Sequence, residues 1–268
     1  MLTGATRLVG LVGNPVSRSL SPRMQNAAFA ARGLDWAYVP LPVEAAALEA
    51  ALTGLAALGF AGANVTVPHK TTAVAYCDEL DEFAERAGSL NTIVVRDGRL
   101  AGSSTDGVAV TEAVDASGAA VLLLGAGGAA QAVATALADA GAARLVVASR
   151  RPDAAAALAA RLRALFPGPA VAVDETWPPA AAADIVVNAT PVWDRTLVPV
   201  QAHQRVVDLA YRSDGEPTAL VAAAREAACA LVVDGLEILM RQGAASFERW
   251  TGVPAPRAVM RAALPSAP

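Results

Sequence analysis

From residue 119 onward, short apolar runs alternate with longer Ala-rich stretches: "AAVLLLG", "RLVVAS", "DIVVNATP", "RVVDLAY" and "ALVVDG" recur at intervals that leave room for a helix between most neighbours. Near-continuous Val/Leu/Ile runs belong to strands buried on both faces, and strands alternating with helices build a parallel sheet covered on both sides. The spacing predicts helices over Gln131–Gly141, Asp153–Phe166 and Pro217–Cys229, and a further one over Leu236–Trp250, after which Pro254 and Pro256 interrupt. A chain with this pattern is an α/β protein.

The first hundred residues alternate less regularly. "RLVGLVG", "WAYVPLPV" and "FAGANVTVP" read as strands. Ser21 with Pro22 behind it reads as a capped helix start, Glu44–Leu58 as a second helix, and the residues after Pro68 as a helical stretch to about Ala87. "NTIVVRDGRLAGSSTDG" reads as a hairpin turned by "RDG". The two series meet between Gly102 and Gly118.

Composition excludes several classes. At 54% apolar and 17% charged residues the chain has enough apolar surface to fold rather than stay disordered. A net charge of −4 without a long basic run argues against nucleic acid as partner. Cys77 and Cys229 are too few and too far apart for a disulfide framework, and with His69 and His203 they offer no metal-ligand spacing. No apolar run has the length of a membrane span, and the N-terminus lacks the pattern of a secretory signal. The expected setting is the cytoplasm, with a small molecule as partner and no membrane, and no metal.

"VLLLGAGGAAQAV" carries the chemistry of the second half. Gly125, Ala126, Gly127, Gly128, Ala129 and Ala130 form a GxGxxA pattern between a strand and a helix. Gly125 permits the tight turn, Gly127 lets the backbone approach a pyrophosphate, and Ala130 allows close helix–strand packing, while the helix N-terminus offers N–H donors. An NAD site usually has an acid at the end of the next strand for the ribose 2′-hydroxyl. Here that place reads Ser149-Arg150-Arg151, and Asp153, past Pro152, starts the next helix. The planar fork of arginine suits a 2′-phosphate, so the expected cofactor is NADP.

The islands "GNPVSRSLSP", "NVTVPHK", "GSLNTIV", "STDG", "GAGGAAQAV", "NATP", "VVDLAY" and "DGLEILMRQGAASFERWTG" stand in an order that resembles the shikimate dehydrogenase family, with its sister branch of quinate/shikimate dehydrogenases. The resemblance implies an N-terminal α/β substrate-binding domain (residues 1–104), a Rossmann-like NADP-binding domain (105–235), and C-terminal helices (236–268) that pack back on the first domain. It also implies reversible NADPH-dependent reduction of 3-dehydroshikimate to shikimate, in a cleft closed by domain movement, by a monomer or homodimer.

The family's functional positions carry over residue by residue. Lys70 and Asp106 resemble the catalytic pair. A close carboxylate raises a lysine's pKa and desolvation lowers it, so Lys70 is either the proton carrier or a fixed cation, with Asp106 or water moving the proton. Ser17 and Ser19 resemble the serines that hold the substrate carboxylate. Asn64, Thr66, Asn91 and Gln242 resemble its ring-hydroxyl and carboxylate contacts, and Tyr211 its tyrosine near the substrate. Leu209 and Gly235 resemble positions beside the nicotinamide, with Thr190 of "NATP" and Glu82 as further cofactor-side positions. The chain departs from the family at Arg18, Ser104, Val192, Trp193, Glu237 and the arginine motif. These departures leave a quinate or NAD-using branch as the alternative activity, and a non-catalytic dinucleotide sensor as the alternative class.

Overall fold

Two six-stranded sheets organise the chain in the computed structural model, which describes residues 2–179 and 182–265. The chain divides into two units: the residues up to Thr105 together with those from Leu239 onward, and Asp106–Ile238.

In the first unit, β1 (Arg7–Gly13) is followed by α1 (Ser21–Ala31) and by β2 (Trp36–Pro42), which pairs parallel to β1. A 3-10 turn at Ala45–Ala47 leads into α2 (Leu48–Ala57), and β3 (Gly62–Val65) pairs parallel on the other side of β1. A 3-10 turn at Thr72–Tyr76, the two-residue strand β4 (Glu79–Leu80) and α3 (Glu82–Ala87) come next. The hairpin of β5 (Thr92–Arg96) and β6 (Arg99–Ser103) closes the sheet in the order β2-β1-β3-β5-β6-β4. Asp97 and Gly98 turn it with φ of 50° and 76°, the two left-handed residues that a tight hairpin favours. Leu48, Leu52 and Leu55 of α2 pack on Val12, Val65 and Ile93 to make one core.

Two expectations for this unit need correction. The stretch from Pro68 to Ala87 is not one helix. Asp78 breaks it, because its N–H donates to Leu100 O at 2.9 Å and its carboxylate accepts the Leu100 N–H at 2.7 Å, drawing the chain onto the edge of β6. Ser21 does not cap α1 but is its first, buried residue, and Leu20 holds the cap position without a side-chain bond. Ser19 Oγ instead accepts the Ser21 N–H at 3.2 Å.

The second unit opens with α4 (Asp106–Thr111), then runs β7 (Ala120–Leu124), α5 (Gly128–Asp139), β8 (Arg144–Ala148), α6 (Pro152–Leu165), β9 (Ala170–Asp174), β10 (Ile185–Asn188), β11 (Arg205–Asp208), α7 (Ala219–Glu226) and β12 (Leu231–Val233). All pairs are parallel, in the order β12-β11-β10-β7-β8-β9. This is the doubly wound arrangement, whose strand order reverses between β7 and β10. Successive residues of β7 alternate faces: Val121 and Leu123 join the core that includes Val133 and Leu137 of α5, while Leu122 and Leu124 join the one that includes Leu197 and Val198. Both faces are covered, which is why the strand reads as an unbroken apolar run. α5 starts at Gly128, three residues before the sequence pattern suggests, because Gly128, Ala129 and Ala130 are all small and show no polar face to phase a helix. β9 is an edge strand with no counterpart among the sequence expectations.

α8 (Gly235–Thr251) begins in the second unit and from Leu239 belongs to the first, followed by α9 (Arg257–Ala262). Its Phe247 stacks on Phe29 of α1 at 5.3 Å between ring centroids, and Trp250 Nε1 donates to Ile93 O at 2.9 Å. Among the described residues, no helix is long and apolar enough to cross a membrane.

Candidate active site

In the second unit the loops of interest leave the C-terminal ends of neighbouring strands. Gly125 follows β7 with φ of 114°, and a Cβ there would lie 3.0 Å from Ala189 O, so the turn admits only glycine. Its N–H donates to Ala148 O at 2.8 Å, which ties the glycine turn to the end of β8. Ser149, Arg150 and Arg151 follow immediately, with both arginines exposed and Ser149 Oγ accepting the Arg151 N–H at 3.2 Å. α6 then begins at Pro152, so Asp153 lies in its first turn. Gly127 is the residue before α5, and a Cβ there would meet nothing within 4 Å.

These features fit a dinucleotide phosphate. The first-turn amides of α5 lack intrahelical acceptors, the backbone beside them is uncovered, and two cations stand where an acid would favour an unphosphorylated ribose.

β10 and β11 end at register partners, Asn188 and Asp208. Asn188 Nδ2 donates to Asp208 Oδ1 at 2.8 Å, and Asn188 Oδ1 accepts the Thr190 N–H and hydroxyl at 3.0 and 2.7 Å. Asp208 is fully buried. Burial pushes its carboxyl up to about 6, opposed by hydrogen bonds from Thr218, Ala210 and Asn188 and reinforced by Asp234. A Cβ on Gly235 would fall 2.1 Å from Ala210 O and 3.1 Å from Leu209 O. Thr190, Leu209 and Gly235 therefore belong to one packed group of loops, and half-buried Tyr211 sits on the same segment as Leu209.

In the first unit, Asn64, Asn91 and Gln242 meet. Asn91 Nδ2 donates to Gln242 Oε1 at 3.2 Å and to Thr105 Oγ1 at 2.9 Å, while its Oδ1 accepts the Thr105 N–H at 2.8 Å. Asn64 Nδ2 donates to Asn91 O at 2.8 Å and to Ser246 Oγ at 3.1 Å, and its Oδ1 accepts Tyr38 O–H at 2.8 Å. Both amide hydrogens of buried Asn64 are thus used inside the unit, which makes it a frame residue. Gln242 is half-buried rather than turned to solvent, its Nε2 donating to Leu239 O at 2.8 Å.

Lys70 and Thr66 are half-buried in the segment after β3, where His69 N donates to Thr66 O at 2.9 Å and Leu90 N to Lys70 O at 2.9 Å. The neighbouring His69 ring is buried, with Nε2 2.7 Å from Val43 O. Ser17 is exposed and Ser19 half-buried. Asp106 is 6% exposed and is the first residue of α4, one peptide bond beyond Thr105. Glu82 points to solvent in the first turn of α3, 3.7 Å from Arg86; a helix N-terminus favours a carboxylate there without any cofactor.

Sequence reasoning overlooked the residues that hold these groups: Tyr38, Thr92, Thr105 and Ser246 in the first unit, Asn188 and Asp208 in the second. Asn188 and Asp208 lie inside "NATP" and "VVDLAY", so a signal existed. Ser246 likewise lies inside "DGLEILMRQGAASFERWTG", whereas Tyr38 carries no such signal, since it joins the network through a hydrogen bond to Asn64, 26 residues away. Trp193, a departure from the family, lies under the Arg212 guanidinium at 5.2 Å, and Arg212 pairs with Asp214 at 2.5 Å.

Three family descriptions match the chain: shikimate dehydrogenase substrate binding domain over residues 11–93, shikimate / quinate 5-dehydrogenase over 108–220, and shikimate 5'-dehydrogenase C-terminal domain over 235–264. The shikimate dehydrogenase (NADP(+)) of Anaeromyxobacter dehalogenans is 46% identical, with 98% of each chain covered. A crystal structure of a shikimate dehydrogenase in complex with NADP+ superposes with a TM-score of 0.88 at 33% identity, covering 98% of this chain and 96% of that one. The Thermus thermophilus enzyme in complex with NADP(H) and shikimate gives 0.82 at 33% identity, over 96% and 98%. With that likeness running through both units, the chain belongs to the shikimate dehydrogenase family.

Proposed function

We propose that this chain is an NADP-dependent shikimate dehydrogenase, which reversibly reduces 3-dehydroshikimate to shikimate on the route to the aromatic amino acids. The observation that carries the activity is the 46% identity, over 98% of both chains, to a relative of that name. Arg150 and Arg151, placed directly after a strand tied to the glycine turn, support NADP over NAD. An enzyme of the shikimate pathway acts on small molecules, and its setting is the cytoplasm, as a monomer or homodimer.

NADP, when bound, supplies or takes up the hydride. The α5 N-terminus, Gly127 and Gly128 hold its pyrophosphate, Ser149, Arg150 and Arg151 its 2′-phosphate, and Thr190, Leu209 and Gly235 shape the nicotinamide side. Lys70 gives the proton that passes to the ketone oxygen in reduction and takes it back in oxidation, and Asp106 is the second member of the pair that the family resemblance implies. Ser17 and Ser19 donate to the substrate carboxylate; Ser19 accepts from Ser21 through its oxygen, and a hydroxyl that accepts still has its hydrogen to give. Thr66, Tyr211 and the Asn91–Gln242 pair read the ring hydroxyls, and Asn64 acts by fixing Asn91. Polar groups arranged in this way reject an analogue that lacks a hydroxyl, because its absence leaves them unpaired.

Purified chain incubated with shikimate and NADP+ tests the proposal. The expected result is the near-ultraviolet absorbance of reduced cofactor, matched by loss of shikimate on a chromatogram. Reduced cofactor appearing with quinate but not with shikimate contradicts it, as does the absence of turnover with either.

A further inference from the structure

Asp208 is a fully buried carboxylate that the mechanism above does not use. Its surroundings are built for it. Oδ1 accepts from Asn188 Nδ2 at 2.8 Å and from the Ala210 N–H at 2.9 Å, and Oδ2 accepts from Thr218 Oγ1 at 2.5 Å. Each donor belongs to a different piece of backbone. Asn188 ends β10, and its other amide atom holds both the N–H and the hydroxyl of Thr190. Its Nδ2 also donates to Val192 O at 3.1 Å. Ala210 lies between Leu209 and Tyr211, and its carbonyl is where Gly235 packs without room for a Cβ. Thr218 is the N-cap of α7, where its Oγ1 accepts the Val221 N–H at 3.2 Å.

One side chain therefore links the loop after β10, the loop after β11 and the start of α7, with the start of α8 packed against the same loop. A buried acceptor facing three donors confines all of them, because any donor that drifts away loses its partner in a place water does not reach. We propose that Asp208 is a positioning residue for the dinucleotide: its carboxylate locks Thr190, Leu209 and Tyr211 in the arrangement that receives the nicotinamide half of NADP. This rests on the dehydrogenase reading above, but it concerns a residue that touches neither substrate nor cofactor.

The test compares wild type, Asp208→Ala and Asp208→Asn as full-length chains. The readouts are the NADP+ dissociation constant by calorimetric titration, KM and kcat with shikimate, and hydrogen exchange at the Thr190 and Ala210 amides. Asp208→Ala is expected to raise Kd and KM for NADP+ by about 10-fold while kcat changes less, and to speed exchange at both amides. Asp208→Asn keeps the shape and one carbonyl acceptor, and the Thr218 hydroxyl can reverse to accept, so Kd is expected within about 3-fold of wild type. A folded Asp208→Ala chain with unchanged Kd overturns the proposal, as does an Asn variant no better than the Ala variant. If Asp208→Ala does not fold, Thr218→Val removes one donor and is expected to give the same changes at smaller size; unchanged Kd in that variant overturns the proposal equally. A wild type that fails to bind NADP+ sinks the dehydrogenase reading instead. The exchange of Thr190 and Ala210 then decides on Asp208: faster in Asp208→Ala supports the lock, unchanged refutes it.

Discussion

Asn91 donates through Nδ2 to Gln242 Oε1 at 3.2 Å, joining the residue before β5 to a helix 151 positions later. The contact is long for an amide pair, while the Asn91–Thr105 bonds at 2.9 and 2.8 Å are short. The weaker contact is the one a substrate hydroxyl can exchange with at little cost. Gln242→Ala is accordingly expected to raise KM for shikimate and lower kcat/KM by about 10-fold, the worth of one hydrogen bond. Asn91 keeps Thr105, so the midpoint of thermal unfolding is expected to move by only a few degrees, about 1 kcal/mol in a chain of this size. Steady-state kinetics beside a calorimetric scan check both.

Arg150→Ala and Arg151→Ala separate the two nicotinamide cofactors. A charge-assisted bond to phosphate is worth about 1.5–3 kcal/mol. Each substitution is expected to cost about 10- to 100-fold in kcat/KM with NADP+ and little with NAD+. Both side chains are exposed, so stability is expected to hold. Cofactor-dependent rates in the two variants give the ratio directly.

Asp208 also makes a prediction about pH. Its folded pKa, about 6 and raised chiefly by burial, lies above the ~3.9 of an unfolded aspartate. Between those values the unfolded chain has released a proton that the folded chain still holds, so this group's contribution to stability falls as pH rises through roughly 4 to 6, then levels off. The full span is on the order of 3 kcal/mol, and Asp234, itself 3.8 Å from Arg225, adds to the repulsion. Asp35 and Asp214, held low by hydrogen bonds, slope the other way. Urea unfolding of wild type and Asp208→Asn across that window isolates the term: the difference between them is expected to shift in favour of the Asn chain as pH rises.

Much of the second unit was legible because its central strands are buried on both faces and so read as short runs of Val, Leu and Ile with polar residues only at their ends. β9 escaped because it is an edge strand: Ala170–Asp174 is short, lies half-exposed and follows a Gly-Pro pair, so its Ala-Val alternation reads as a loop between two helical stretches. The segment before α3 escaped for a different reason. After Pro68 it carries no further proline and no glycine to signal a break, and the bonds from Asp78 to Leu100 that interrupt it span 22 residues. In the second unit, the places of the glycine turn after β7 and of the arginines after β8 were readable because each directly follows an apolar strand. Asn64 was readable as a motif but not as a frame residue, since its role depends on Tyr38 and Ser246, which only the folded chain brings to it. Asp208 reads from the sequence as the end of a strand, and its burial among three donors is set by Asn188, Ala210 and Thr218, which only the fold gathers around it.

The central claim is NADP-dependent oxidation of shikimate through Lys70, and initial rates test it most directly. Wild type and Lys70→Ala are assayed with shikimate and NADP+, with quinate and with NAD+ as the comparison substrate and cofactor. The account predicts that shikimate with NADP+ gives the fastest rate in wild type and that Lys70→Ala lowers kcat by about a hundredfold or more, the share a proton carrier supplies. A Lys70→Ala chain that turns shikimate over at the wild-type rate, or a wild type that prefers quinate or NAD+, would contradict it.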